Sequence, residues 1–188
     1  NYNDMLIAEG GSSNNSGTEK GNMLTVEGTH ANSGTSIWNG VTVADSGKGE
    51  NAGKLDVGSV FDVLGEFVNK GKDAVLDATK TAVTTVAGLL RNEGTANYDD
   101  MTVASGGKSE NTGFEQGDIL TVANGGQHTN SGTSIWNNVT VQTGATSTVD
   151  VGGKETINDT YDIAGDRTNK GEVDATKVAN TQVSGSLD

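Results

Sequence analysis

Short alternating triplets punctuate this chain at nearly even intervals. Leu24-Thr25-Val26, Val41-Thr42-Val43, Phe61-Asp62-Val63, Met101-Thr102-Val103, Leu120-Thr121-Val122, Val139-Thr140-Val141 and Tyr161-Asp162-Ile163 share one pattern, and Thr84-Thr85-Val86 is a more polar version. Period-2 alternation predicts strands whose first and third side chains point inward while the middle one faces solvent. Each triplet is followed by an Asn-x-Gly turn, at Asn15, Asn32, Asn51, Asn69, Asn92, Asn111, Asn130 and Asn169, with Asp150 in that place once. The third positions, Ile7, Val26, Val43, Val63, Val86, Val103, Val122, Val141, Ile163 and Val183, recur about every 20 residues. That period fits one coil of a parallel β-solenoid better than a helical repeat. The pattern therefore predicts an all-β, single-stranded parallel β-helix of about ten coils, one continuous domain over residues 1–188. At ~4.8 Å per coil it would be a rod on the order of 50 Å long, with the third positions stacked as an aliphatic column.

The turn after each triplet calls for residues that tolerate a left-handed backbone, and Asn and Gly carry the least strain there. Asn also offers both a donor and an acceptor, so the stacked turn asparagines predict a hydrogen-bonded ladder, with a local irregularity at Asp150. Five coils make a larger unit. NYNDM at Asn1–Met5 returns as NYDDM at Asn97–Met101, and NSGTSIWN at Asn32–Asn39 returns at Asn130–Asn137. The copies span residues 1–96 and 97–188. Lys72–Leu90 is the best helix candidate, yet its β-branched residues and its match to Glu172–Leu187 favour a widened coil.

Composition supports the strand reading. There are 28 glycines, but no proline and no cysteine. Proline lacks the N–H that a parallel ladder needs, so its absence suits a body of stacked strands. The 25 acids against 12 bases give a net charge of −13, and no basic cluster interrupts the acidic surface. A phosphate backbone would be repelled, so nucleic acid is excluded as a partner. No apolar run reaches transmembrane length, so no membrane insertion is expected. The chain opens and closes within coils, which predicts either a piece of a longer protein or a subunit that associates end to end.

These Gly-, Asn-, Thr- and Val-rich coils, with their LTV…NSGT beat, resemble the passenger regions of bacterial autotransporters and related large surface adhesins. The resemblance covers nearly the whole chain and rests on repeat texture rather than a signature motif. It implies a right-handed β-helix exported to the bacterial cell surface as a stalk, with a host or cell-surface glycan or protein as partner.

Candidate sites are few. Trp38 and Trp136 occupy matching places in the two copies. Exposed indoles would stack on sugar rings, as ligand-binding residues of an adhesin. The opposing reading is core packing, because the same slot holds Tyr2, Val57, Val75 and Tyr98, and because Gly21 and Gly117 one coil earlier leave room for an indole. His30 and His128 also match, but without a second His or a Cys nearby they read as duplicated turn residues rather than metal ligands. Asp99 and Asp100 supply oxygen ligands that would suit Ca²⁺ as a cofactor, although no calcium-loop motif is present and a solvated acidic face explains them more simply. Thr25, Thr42, Thr85, Thr102, Thr121 and Thr140 form an outer row, interrupted by Asp62 and Asp162, that strand propensity explains without ice binding. No Ser/His/Asp group or paired carboxylates stand out, and the only arginines, Arg91 and Arg167, lie coils apart. The expected role is non-enzymatic: a structural and adhesive β-solenoid, or alternatively a self-stacking filament or surface-layer subunit. A polysaccharide-binding or polysaccharide-cleaving β-helix is a minor third reading.

Overall fold

Each triplet ends a long strand and each turn asparagine ends a short one, so every coil contributes one strand to each of two sheets. In the computed structural model, which describes Asn1 through Asp188, the chain is a parallel β-solenoid of about ten coils without a helix. The larger sheet starts at Asp4–Ile7 and Thr18–Val26 and runs to Lys154–Ile163, which pairs with both Glu172–Asp174 and Asn180–Val183. The smaller sheet starts at Ser12–Asn15 and ends at Ser186–Leu187. The third-position residues are successive register partners from Ile7 to Val183, so the beat in the sequence is the pairing register itself. Within a triplet, Leu24 and Val26 are buried and Thr25 between them is half-buried. The column is apolar and closed from Ile7 to Ile163, whereas Val183 is 45 % exposed.

The asparagines run as a continuous ladder. Asn32 donates to Asn51 Oδ1 at 2.7 Å and to the Lys54 carbonyl at 2.9 Å. The same pair of bonds recurs from Asn51 to Asn69, Asn69 to Asn92, Asn92 to Asn111 and Asn111 to Asn130. Asn15 begins the series by donating to Asn32. Both hydrogens of each interior amide are thus used, which is what a buried side chain of this kind requires. The irregularity lies one residue before its expected place. Val149, not Asp150, pairs with Asn130 and Asn169, so the ladder stops at Asn130. Asn169 is exposed, and its Oδ1 caps its own turn at the Gly171 N–H.

The glycines of these turns serve a different purpose from the one expected. No residue other than glycine has positive φ, and among the Asn-x-Gly turns only the one at Asn69, which is longer, contains a positive-φ glycine. A Cβ on Gly34 would lie 2.1 Å from the Gly17 carbonyl oxygen, and one on Gly132 would lie 2.1 Å from that of Gly113. The requirement is close stacking of one coil on the next. Left-handed glycines occur where a turn is longer, as at Gly71 (φ 83) and Gly152 (φ 85).

Lys72–Leu90 holds no helix. Its strand, Val75–Val86, carries a bulge in which Thr79–Ala82 oppose the single residue Asp99, and Thr81 turns inward to donate to the Ala78 carbonyl at 2.7 Å.

Candidate functional site

The interior is not wholly aliphatic. In the first copy the Trp38 indole N–H donates to Ser36 Oγ at 2.8 Å, and the Ser36 hydroxyl donates to Glu19 Oε1 at 2.6 Å. His30 reaches the same carboxylate oxygen from the facing sheet, with Nε2 at 3.0 Å. The second copy repeats the group as Trp136, Ser134, Glu115 and His128, with 2.7, 3.0 and 3.3 Å at the corresponding contacts. Neither imidazole makes an aligned hydrogen bond, and both contacts are close approaches without that geometry. Beside the second group, Arg167 pairs with Glu155 and Ser147 and lies 5.7 Å over the Tyr161 ring.

Burial divides the two groups electrostatically. Desolvation raises Glu19, but the close His30 imidazole and the Ser36 hydrogen bond outweigh it and hold the carboxyl below its usual range. Glu115 is fully enclosed. Desolvation, with the Glu155 charge adding to it, pushes its carboxyl up to about 8 despite the Ser134 and Trp136 hydrogen bonds. Desolvation and then the Arg167 charge take His128 down to about 3. Glu155 is raised by burial, with Arg167 opposing. At neutral pH both Glu115 and His128 are therefore uncharged.

Sequence reasoning missed these clusters, although a signal for them was present. Ser36 and Trp38 are two residues apart, as are Ser134 and Trp136, so a buried Trp puts the Ser inside as well. The geometry is not that of a nucleophile and its base. Each serine hydroxyl donates a hydrogen bond to a glutamate oxygen and accepts one from an indole, and neither histidine reaches it. The side chains are sealed inside the coil, where they join the two sheets.

The indoles also settle the tryptophan question. Trp38 is 1 % exposed and Trp136 0 %, so neither can stack on an external sugar. Each lies over the glycine one coil back, where a Cβ on Gly21 or Gly117 would come within 2.3 Å of the ring, and each stacks two coils back on Tyr2 or Tyr98. The register puts Ala78, not Val75, in the Trp slot between Val57 and Tyr98. Asp99 and Asp100 lie on the outer face, where burial and then the charges of Asp99 and Asp118 raise Asp100. No group of three or more metal-capable side chains converges there. Arg91 and Arg167 separate as well, with Arg91 on the outside bonding Glu110 at 2.9 Å.

Two grooves mark the outer face of the larger sheet, one on each side of the Thr79–Ala82 bulge. The smaller, about 80 Å³, is lined by Ile37, Asp56, Gly58, Asp77 and Lys80. The larger, about 300 Å³, is lined by Thr79, Asn97, Tyr98, Gln116, Gly117, Ile135 and Asn137. No protein-family model, curated protein or solved structure matches this chain.

Proposed function

We propose that this chain is a non-catalytic, extracellular segment of a bacterial surface protein of the autotransporter or adhesin kind. It acts as a stiff stalk whose outer faces make adhesive contacts with a cell-surface glycan or protein. The observation that carries the reading is the unbroken pairing of two parallel sheets, reinforced by the amide ladder from Asn15 to Asn130. Such an object is quasi-one-dimensional, transmits load coil to coil and presents the same kind of surface along its length. The acidic exterior disfavours nucleic acid and keeps neighbouring stalks apart. The enclosed Ser–Glu–His groups offer a substrate no access.

The test is to display the chain on a non-adherent bacterium and measure retention on host-cell and bacterial layers under flow, with small-angle scattering of the purified chain alongside. Retention above the undisplayed strain, together with a rod of constant length, is the expected result. Loss of retention on every layer would refute the adhesive role, and a length that grows with concentration would make the chain a self-stacking subunit.

A further inference from the structure

We propose that the larger outer groove, between the Thr79–Ala82 bulge and Asn137, is a binding site for a neutral, hydroxyl-rich oligosaccharide. This rests on the adhesive reading above and assigns it a place. The groove crosses four strands, Val75–Val86, Thr95–Val103, Phe114–Val122 and Thr133–Val141. At ~4.8 Å per strand it is about 14 Å long, enough for a short run of sugar rings.

Its lining decides the ligand class. Three carboxamides, Asn97, Gln116 and Asn137, face one opening, with Thr79, whose hydroxyl already donates to Asp77, at one wall, Ile135 as the half-buried apolar surface and the largely buried Tyr98 beneath. The amides are only partly used. Gln116 Nε2 donates one bond, to Asn97 Oδ1 at 2.9 Å, and Asn137 Nδ2 donates to Asp118 Oδ1 at 2.9 Å. An amide NH₂ has two hydrogens, so one on Gln116, one on Asn137 and both on Asn97 remain for a ligand, as does Gln116 Oε1. Vicinal hydroxyls, each a donor and an acceptor, match such a set, while the C–H face of a sugar ring suits Ile135. Gly117 contributes its backbone to the floor, while its side-chain position points inward, where the Trp136 ring lies in place of a Cβ.

The competing ligand classes fit less well. A peptide would add to a sheet through backbone bonds, but the backbone of these interior strands is already paired on both sides. Anions meet no cation in the lining, and Asp118 lies beside it. The first copy has no equivalent site, since Lys20 stands where the second has Gln116.

The experiment titrates the ¹⁵N-labelled chain with neutral hexasaccharides of β-1,4-glucose, α-1,4-glucose and β-1,4-N-acetylglucosamine, and with polygalacturonate as an anionic probe. At least one neutral sugar should shift the side-chain amide signals of Asn97, Gln116 and Asn137. The Gln116→Ala/Asn137→Ala variant should bind it at least about tenfold more weakly, and its unchanged urea midpoint would show that the fold is intact. A single Gln116→Ala variant stands in if the double one unfolds. Unmoved amides with all three neutral sugars, undiminished binding by the variant, or tighter binding of polygalacturonate would overturn the proposal. The scattering length of the rod is unaffected by any of these outcomes, so failure of this site is distinguishable from failure of the stalk.

Discussion

The enclosed Glu115–His128 pair predicts how stability depends on pH. Glu115 ionises near 4.5 when unfolded and near 8 when folded. A raised folded pKa means that its contribution is fully present below pH 4.5 and is lost as pH rises toward 8. His128 ionises near 6.5 unfolded and near 3 folded, so its contribution is present above 6.5 and lost as pH falls toward 3. Between pH 6.5 and 8 the folded histidine stays neutral while the unfolded one sheds its remaining proton, and only the folded chain holds the Glu115 proton, so comparison with a Glu115 variant is needed to separate the two. One proton corresponds to about 1.4 kcal/mol per pH unit, or about 2 kcal/mol over this interval. Urea unfolding of the wild type and of Glu115→Gln at several pH values isolates the effect. The wild type should lose about 2 kcal/mol relative to the variant between pH 6.5 and 8. Parallel curves would refute the claim that Glu115 is held uncharged inside the coil.

Other substitutions probe the ladder and the indole cradle. Asn92→Ala removes the acceptor of Asn69 and the donor to Asn111 and Phe114, leaving buried amide groups unpaired; urea titration should show a loss of about 2–4 kcal/mol. Gly117→Ala places a methyl group 2.3 Å from the Trp136 ring, which should red-shift tryptophan emission and cost about 1–3 kcal/mol. Gly17→Ala, with nothing within 4 Å, should leave the emission unchanged. Val149→Asn gives Asn130 an amide neighbour in its own column and should stay within about 1 kcal/mol of wild type in urea, whereas Val141→Asn in the aliphatic column should cost several times as much.

The solenoid was legible because two independent periods coincide. Alternation within the triplets gives the strand face, and the interval between triplets gives the register, so the column from Ile7 to Ile163 is readable in the sequence. The glycine beneath each tryptophan was legible for the same reason. The turn at Asp150 misled because Asp150-Val151-Gly152 imitates the Asn-x-Gly spacing. Gly153 takes the stacking position, where a Cβ would lie 2.4 Å from the Asn130 carbonyl oxygen, and left-handed Gly152 absorbs the added length. The polar interior was hidden by residue type. Glu19, Glu115 and Glu155 occupy inward slots that acids rarely fill, and only pairing across the sheets reveals what compensates them. The bulge beside the groove was legible as the widened coil over Lys72–Leu90, but the side chains that neighbouring coils bring to its edge were not, because they depend on pairing across coils.

The valine at position 149 divides the rod energetically as well as chemically. Coils from Asn15 to Asn130 share a one-way chain of amide donors, so opening one exposes a rung in the next, and they should exchange their amide hydrogens as a single block. Beyond Val149 that coupling is missing, and coils there can fray singly. Under load the solenoid would then yield first on the C-terminal side of this gap, giving up a short length of chain while the longer block stays wound.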